Sequence, residues 1–360
     1  MTYPVGKGTM TLESKLVKLR DHLDRFLGVY VAISIVIAFI IGLRYAQPVH
    51  QNINAIKSLE MVAIIIMIFP MMVMMNVSGL AKAVKNWKLL LIVLLMNFGW
   101  GPLMAIILGD LFVSNPLIRL GIFLAWLVPC SSMSIGYVGL MRGNIEAATA
   151  LVAITFIIGI PIIPLFAGLY GSIYHLKISM VLLVMTIIEV ILLPLIFGVI
   201  THYGLIKWMG KDKFIEISPI FPTLTMLGMF MIVFLIFLPN SPMVIKNFHE
   251  IIGVFYTAMV FGTVSLIFLT VLLKKLKINY WDSMAALFPS IGKNEATAIA
   301  IASTAFSPLV AIPPGMFPIF QIIFLVTYIK LRPNIAHYFG IKGKDVKFMH
   351  EDEVSKTGGE

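Results

Sequence analysis

Ten runs of about 20 mostly apolar residues follow one another along this chain, and they constrain its fold more than any other feature. An α-helix of that length crosses the roughly 30 Å hydrocarbon core of a bilayer and satisfies its own backbone hydrogen bonds there. The runs occupy residues 28–46, 58–77, 88–109, 116–140, 145–170, 178–201, 217–239, 249–273, 282–305 and 308–331. The sequence therefore predicts an all-α membrane protein with ten transmembrane helices.

Composition agrees with a chain whose solvent is largely lipid. Hydrophobic residues make up 59% of the sequence and charged residues 12%, whereas a soluble domain carries about 25% charged residues. The net charge of +10 does not indicate nucleic acid as a partner, because the basic residues lie between the apolar runs rather than in one patch. The single cysteine, Cys130, excludes an intrachain disulfide. No cofactor is predicted.

The distribution of Lys and Arg predicts the orientation of the chain in the membrane. With ten spans and a cytoplasmic N-terminus, inner segments hold 21 basic residues, outer segments hold 5, and Lys293 lies within a span. Cytoplasmic loops are enriched in Lys and Arg, so this bias predicts that both termini lie in the cytoplasm. We expect the protein to lie in the plasma membrane. Residues 333–360 form a polar cytoplasmic tail in this interpretation.

Residues 1–27 precede the first span and contain one amphipathic pattern. Its apolar residues recur at spacings of three and four, which is one face of a helix, and they are Leu12, Leu16, Leu19, Leu23 and Phe26. Two placements are open: a helix on the cytoplasmic membrane surface, or a helix packed on the inner face of the bundle.

Two of the ten runs are interrupted by proline and polar residues. The fourth contains Pro129-Cys130-Ser131-Ser132, and the ninth contains the segment from Pro289 to Glu295, 160 residues later. The two interruptions lie five spans apart. Because five is an odd number, the second half of the chain enters the membrane from the opposite side. The sequence thus predicts two inverted five-helix repeats, residues 28–175 and 176–332, with broken helices four and nine. Paired interruptions of this kind point to a transport site; two ordinary proline kinks are the alternative.

The ninth-span interruption carries Lys293, Asn294 and Glu295. An ionisable residue at this depth is costly and is a functional candidate by default. Glu295 is predicted to accept a proton or to coordinate a cation, with Lys293 and Asn294 taking part in ion or substrate binding. The alternative is a structural ion pair between Lys293 and Glu295.

In the fourth span, Cys130 is predicted to start the second half-helix. A helix N-terminus favours a thiolate, and a thiolate binds soft, thiophilic solutes. Ser131 and Ser132 supply small polar neighbours for the same site. Cysteines without a partner more often pack as small apolar residues, and that alternative stays open here.

Two further polar residues lie in the middle of spans. Glu189 has no basic neighbour in the sixth span, and both ion coupling and a structural role are open for it. Asn97, within Asn97-Phe98-Gly99-Trp100-Gly101-Pro102 of the third span, is a candidate to hydrogen-bond a broken helix or the solute. A residue that only staples two helices is the alternative for Asn97.

Together these segments resemble the bile acid–sodium symporter superfamily, and within it the arsenical-resistance arsenite exporters. Four segments carry the resemblance, and they are Phe69-Pro70-Met71-Met72, Asn97 to Pro102, Pro129-Cys130-Ser131-Ser132 and Asn294-Glu295-Ala296. Their order and spacing, together with the ten-span layout, extend the resemblance over nearly the whole chain.

The resemblance implies a panel domain of spans one, two, six and seven, and a core domain of the other six with the broken helices crossing at its centre. It also implies that Cys130 and Glu295 are the hallmark residues of the arsenite branch. The chain differs from typical exporters at Lys293, where an uncharged residue is expected, and in the Ser131-Ser132 pair.

The resulting hypothesis is a transporter, and not an enzyme, that exports arsenite by proton-coupled alternating access. The alternative in the same class is a sodium- or proton-coupled carrier of an organic anion, held by Lys293 and the helix N-termini. An intramembrane enzyme with Cys130 as nucleophile needs a base within reach, and all seven histidines lie outside the spans or at their ends.

Overall fold

The computed structural model describes residues 12–75, 86–130 and 133–341, and the regular structure in these ranges is helical throughout. The helices are α1 (Leu12–Arg25), α2 (Leu27–Arg44), α3 (Ala46–Gln51), α4 (Ile53–Val73), α5 (Trp87–Leu95), α6 (Gly101–Phe112), α7 (Pro116–Leu127), α8 (Met133–Leu140), α9 (Ile145–Ile173), α10 (Met180–Ile187), α11 (Leu193–Met209), α12 (Lys211–Ile217), α13 (Ile220–Lys246), α14 (Phe248–Lys275), α15 (Tyr280–Ile291), α16 (Glu295–Ala305), α17 (Pro308–Lys330) and α18 (Arg332–Tyr338).

Within the described ranges, eight helical segments are long and apolar enough to cross a bilayer. They are α2, α4, α5–α6, α9, α10–α11, α12–α13, α14 and α17. Each overlaps one predicted span, so the protein is a multi-pass membrane protein. The other two predicted spans, 116–140 and 282–305, each contain a pair of shorter helices, α7 with α8 and α15 with α16. The total of ten crossings and the inverted repeat stay predictions.

Two of the long segments contain a π-helical turn directly before a proline. Met96–Trp100 joins α5 to α6 ahead of Pro102, and Ile188–Leu192 joins α10 to α11 ahead of Pro194. Proline has no N–H to donate and its ring clashes with the carbonyl four residues earlier, so it disturbs the hydrogen bonding of the preceding helical turn. The wider turn absorbs this misfit and frees backbone carbonyls for other donors.

One group of helices is built around α13, which packs against α2 and α4, while α11 packs against α4. Small residues allow close contact in this group. A Cβ atom added to Gly228 of α13 would lie 2.6 Å from the backbone nitrogen of Met67 in α4. Helices in lipid gain stability from such close van der Waals packing, because apolar burial alone does not drive them together.

A second group surrounds the broken helices. Within it α17 packs on α7 and α16, and α14 packs on α6, α15 and α17. The Trp126 ring of α7 stacks on Phe261 of α14, with centroids 4.0 Å apart and planes at 14°. At one end of the group, Arg119 forms a 2.6 Å ion pair with Asp110, and the Tyr174 hydroxyl donates to the same carboxylate. Helices α6, α7 and α9 are thereby tied together.

Helix α1 packs against α13 rather than standing free. Leu23 is buried in that contact, while Leu19 remains exposed. The predicted amphipathic helix therefore exists, and it contacts the bundle. In the polar tail predicted at 333–360, α18 reaches Tyr338, and residues 342–360 lie outside the described ranges.

The environment of Asp24, near the end of α1, leads to a prediction of how the stability of the protein depends on pH. Burial raises the pKa of this carboxyl from 3.8 to about 6, against the opposing charge of Arg20, and its Oδ1 atom has no hydrogen-bond partner among the described residues. A raised pKa means that the folded state binds more protons between those two values, so stability falls as pH rises through that window.

Asp24→Asn should therefore raise the melting temperature in detergent by a few degrees at pH 7.5 and change it little at pH 4, because the amide cannot ionise. Asp212→Asn, at an exposed position of α12, is the control and should leave the pH profile unaltered. A lower melting temperature for Asp24→Asn at pH 7.5 would contradict a buried, unpartnered carboxylate.

Candidate functional site

The two interrupted segments lie directly against each other. A Cβ atom added to Gly292, after α15, would lie 2.7 Å from the Ser134 hydroxyl oxygen in the first turn of α8. The C-terminal ends of α7 and α15 and the N-terminal ends of α8 and α16 therefore border one region. Helix N-termini carry partial positive charge and C-termini partial negative charge, so this region contains fixed dipoles of both signs.

The positions of both interruptions differ in detail from those predicted. Pro289 does not break its helix, since α15 continues to Ile291 and the non-helical residues are Gly292 to Asn294. A proline near the end of a helix removes one donor but leaves the next residues free to stay helical. Cys130 itself is not helical; the described part of α8 begins at Met133, and the two residues between them lie outside the described ranges.

Lys293 lies at the centre of this region, with only 3% of its surface exposed. Its Nζ donates a 2.8 Å hydrogen bond to Oδ1 of Asn97 in the π-helical turn of the third span. Among the described residues no ion pair within 4.0 Å joins Lys293 to Glu295. The structural Lys293–Glu295 pair considered as an alternative is therefore not what holds the ammonium.

Asn97 is fully buried, and both of its amide hydrogens are used. Its Nδ2 donates to the Val93 carbonyl at 3.0 Å and to the Pro289 carbonyl at 3.1 Å. The Pro289 carbonyl belongs to the last turn of α15, where intrahelical donors run out. Since the amide nitrogen faces two carbonyls, the amide oxygen must face Lys293. Asn97 thus hydrogen-bonds the interrupted ninth span, one of the roles predicted for it.

Gln321 of α17 is a site residue that the sequence reasoning missed. Its Oε1 accepts from the Lys293 backbone N–H at 2.6 Å, and its Nε2 donates to the Lys293 carbonyl at 3.4 Å. The same side-chain amide also lies near the Glu295 carboxylate. The available signal was that Gln321 is a lone amide in the tenth apolar run, where polar residues are rare.

Asn294 and Glu295 form the start of α16. Asn294 is the N-cap, and its Oδ1 accepts from the Thr297 backbone N–H at 3.0 Å. The Nδ2 of Asn294 approaches the Met71 sulfur of α4 at 3.5 Å, which is a weak hydrogen bond. Glu295 is the first residue of α16, 7% exposed, so its carboxylate lies at the positive end of that helix.

The ammonium of Lys293 has the opposite location, near the carbonyl end of α7. A Cβ atom added to Gly101 would lie 3.2 Å from Lys293 Nζ and 2.6 Å from the Trp126 carbonyl oxygen. The glycine therefore makes room for both groups. Each charge of the site lies at a helix end of opposite polarity, which reduces the cost of holding it in the membrane interior.

Cys130 lies beside these charges and is fully buried. Its thiol lies near the Thr155 hydroxyl of α9 and within electrostatic reach of Lys293. Thr155 was not among the site residues predicted from the sequence. The only signal for it in the sequence is that it is a polar residue within an apolar run. Ser131 and Ser132, predicted as partners of Cys130, lie outside the described residues.

Glu189 is not brought to this cluster. Its side chain is exposed in the π-helical turn of the sixth span, four residues from Met185 and four from Leu193, both of which are also exposed. Nor does any group of three His, Cys, Asp or Glu side chains assemble within the described ranges. A thiophilic solute at this site would therefore meet one thiol, from Cys130.

A partly open cavity lies next to the charged residues. Lys293, Glu295 and Gln321 contribute its polar groups. Most of the remaining wall is apolar, with the aromatic side chains Trp126, Phe261, Phe317, Phe320 and Phe324. The cavity is therefore bordered by one basic and one acidic side chain, and Cys130 does not line it.

Comparison with known proteins extends this picture beyond the site. A model of the Sodium Bile acid symporter family matches residues 61–247. The arsenical-resistance protein Acr3 of Corynebacterium glutamicum is 20% identical over 343 residues, covering 86% of this chain and 91% of that protein. An uncharacterized protein of Pseudomonas aeruginosa is 23% identical over 251 residues, covering 67% of this chain and 73% of that protein.

Burial of Cys130 predicts slow reaction with thiol reagents in the native protein. Because Cys130 is the only cysteine, maleimide labelling reports this one site. We expect labelling at least about tenfold slower than for a Lys211→Cys, Cys130→Ser variant, whose cysteine replaces an exposed residue, since the thiolate must be reached by the reagent. Equal rates for the two proteins would contradict the burial, and denaturation should abolish the difference.

Proposed function

This chain belongs to the Sodium Bile acid symporter family, and on that premise we propose that it exports trivalent arsenic or antimony oxyacids in exchange for protons. Family membership makes it a membrane transporter. The substrate is inferred from one observation, a buried thiol at a helix interruption beside an ammonium and a carboxylate. Similarity to Acr3 over most of both chains supports the arsenical-resistance branch.

Capture of arsenite at Cys130 requires no charged intermediate. The thiol exchanges with one hydroxyl of As(OH)₃, so that an As–S bond forms, an As–O bond breaks and one water molecule leaves. Trivalent arsenic is soft and prefers sulfur to the oxygen ligands that surround it elsewhere in the site. Since a single thiol is available, the complex is weaker than one with three thiolates, and release on the far side remains feasible.

Glu295 is the residue we assign to proton exchange. It lies at the N-terminus of α16 within reach of the Gln321 amide, and it also lines the cavity. A carboxyl group that is protonated from one side and deprotonated towards the other couples the proton gradient to the movement of a neutral solute. In this proposal the charge of Lys293 stays in place throughout the cycle.

Alternating access is assigned to movement between two helix groups. In the proposed panel, α13 packs on α2 and α4, and α11 packs on α4. The proposed core comprises the remaining spans, including both interrupted ones. Inverted five-helix repeats, ten crossings and both termini in the cytoplasm of the cell membrane complete the proposal, and the charge bias of the loops supports this orientation.

Resistance and transport assays with two variants test the proposal. In a host that lacks its own exporter, Cys130→Ser should reduce arsenite resistance to the level of the empty host, because the soft ligand is lost. Glu295→Gln should abolish the response of arsenite uptake to an imposed proton gradient in inside-out vesicles, because the amide keeps the shape but cannot titrate.

Lys211→Ala, at an exposed residue of α12, is the control, and all variants should be present in the membrane at equal amounts. A fully active Cys130→Ser protein would exclude thiol capture.

The aromatic wall of the cavity favours a second candidate, transport of an organic anion. Five aromatic rings with one ammonium suit an amphipathic carboxylate better than they suit arsenite, which has no apolar surface. Such a solute would place its charge near Lys293 and its apolar body against Phe324 and its neighbours.

Direct comparison of two solutes separates the candidates. Vesicles containing the protein should accumulate arsenite and not cholate, and Phe324→Ala should leave arsenite uptake within about twofold of the original, since arsenite has no apolar surface to place against that ring. Saturable cholate uptake that Phe324→Ala abolishes would replace arsenite export with organic-anion transport as the function of this chain.

A further inference from the structure

The buried ammonium of Lys293 occupies a site with the features of a cation-binding site. The Asn97 Oδ1 atom lies 2.8 Å from Nζ, and the Trp126 carbonyl oxygen and Nζ both lie beside Gly101. The Glu295 carboxylate is within electrostatic reach. Amide, carbonyl and carboxylate oxygens are the ligands that proteins offer to hard cations. At the interruptions of a transporter, such oxygens are where coupling ions bind.

The oxygen that faces Lys293 cannot turn away from it. Both hydrogens of the Asn97 amide are held by the Val93 and Pro289 carbonyls, so a flipped amide would bring oxygen against oxygen at two points. Gln321 fixes the other end by bonding the Lys293 peptide through both its N–H and its carbonyl. Neighbouring carbonyls therefore fix the Asn97 oxygen, and Gln321 separately fixes the Lys293 backbone. The ammonium is held at the Asn97 oxygen by these two independent contacts.

From this geometry we propose that the Lys293 ammonium fills the position of a coupling sodium ion, which makes this member of a sodium symporter family independent of sodium. The covalently attached charge neutralises Glu295 and the carbonyl end of α7, as a bound Na⁺ would. The inference rests on the proposed function only in assuming that solutes cross at this place. It concerns the coupling ion and holds for arsenite or for an organic anion.

Removal of the ammonium should uncover the site it fills. In Lys293→Ala the Asn97 oxygen, the α7 carbonyls and Glu295 remain without a cation, and shortening the side chain leaves room for one. A ligand that binds only the folded state raises its stability as the ligand concentration rises. Sodium should therefore stabilise the variant and not the original protein.

The experiment is a thermal-unfolding series on purified protein in detergent, with NaCl replaced stepwise by N-methyl-D-glucamine chloride at constant ionic strength. The melting temperature of the original protein and of the control Lys211→Ala should not respond to sodium. That of Lys293→Ala should rise saturably by several degrees, and Lys293→Arg, which keeps a cation, should behave like the original. A Lys293→Ala protein recovered only when sodium is present would support the proposal in the same way.

Direct binding of ²²Na⁺ by scintillation proximity keeps the proposal testable if the alanine variant does not fold. Saturable binding of sodium to the original protein would overturn it, as would a Lys293→Ala protein that folds and neither binds nor responds to sodium. These readouts use no transported solute, so they stand apart from the arsenite assays. If arsenite export fails and the sodium results hold, the substrate is wrong and the assignment of Lys293 is retained.

Discussion

An ammonium group held almost entirely away from solvent inside a lipid-embedded helix bundle is the constraint on which the central architecture depends. An isolated charge in that environment is strongly unfavourable, so Lys293 must find oxygen ligands and nearby negative charge. Backbone carbonyls within a continuous helix are already bonded to that helix, so these ligands come from side-chain amides and from helix ends. The interruptions at 128–130 and 292–294 expose helix ends, and the π-helical turn at Met96–Trp100 presents Asn97 towards them. Lys293 meets Asn97 and the α7 end, while Glu295 meets the start of α16.

Much of the fold could be predicted from the sequence because lipid imposes a simple rule on chain length and polarity. Every long helix overlaps one apolar run. The ends were less predictable: α4 begins at Ile53 instead of 58, α11 continues to Met209 and α13 to Lys246. At each of these ends the helix continues through polar residues such as Asn54, Lys207 and Lys246. Hydropathy falls where the hydrocarbon ends, whereas backbone hydrogen bonding continues into the interface.

Site residues could be predicted from the sequence where a polar residue is rare in an apolar run. They could not be predicted where helix packing brings distant residues together. Lys293, Asn294 and Glu295 stand out because charged and amide groups are rare in apolar runs. Gln321 is also a rare amide in an apolar run, but it lies one span away from the interruption. Only the fold shows that it bonds the Lys293 backbone. Glu189 is likewise a rare charged residue in an apolar run, yet its side chain is exposed and does not join the cluster. The aromatic cavity had no local pattern, since rings from α7, α14 and α17 form it together.

The contacts around the interruptions also differ in strength, and this difference bears on movement. Within the second helix group, Lys293 is held by charge-assisted and amide hydrogen bonds to Asn97 and Gln321, which are costly to break in a low-dielectric interior. Across to α4, the contact of Asn294 is a 3.5 Å approach to the Met71 sulfur, a weak acceptor that loses little when the groups separate. Cys130 is sealed in this state and does not reach the cavity. A solute can therefore meet the thiol only after a rearrangement, and separating Asn294 from Met71 breaks only a weak hydrogen bond.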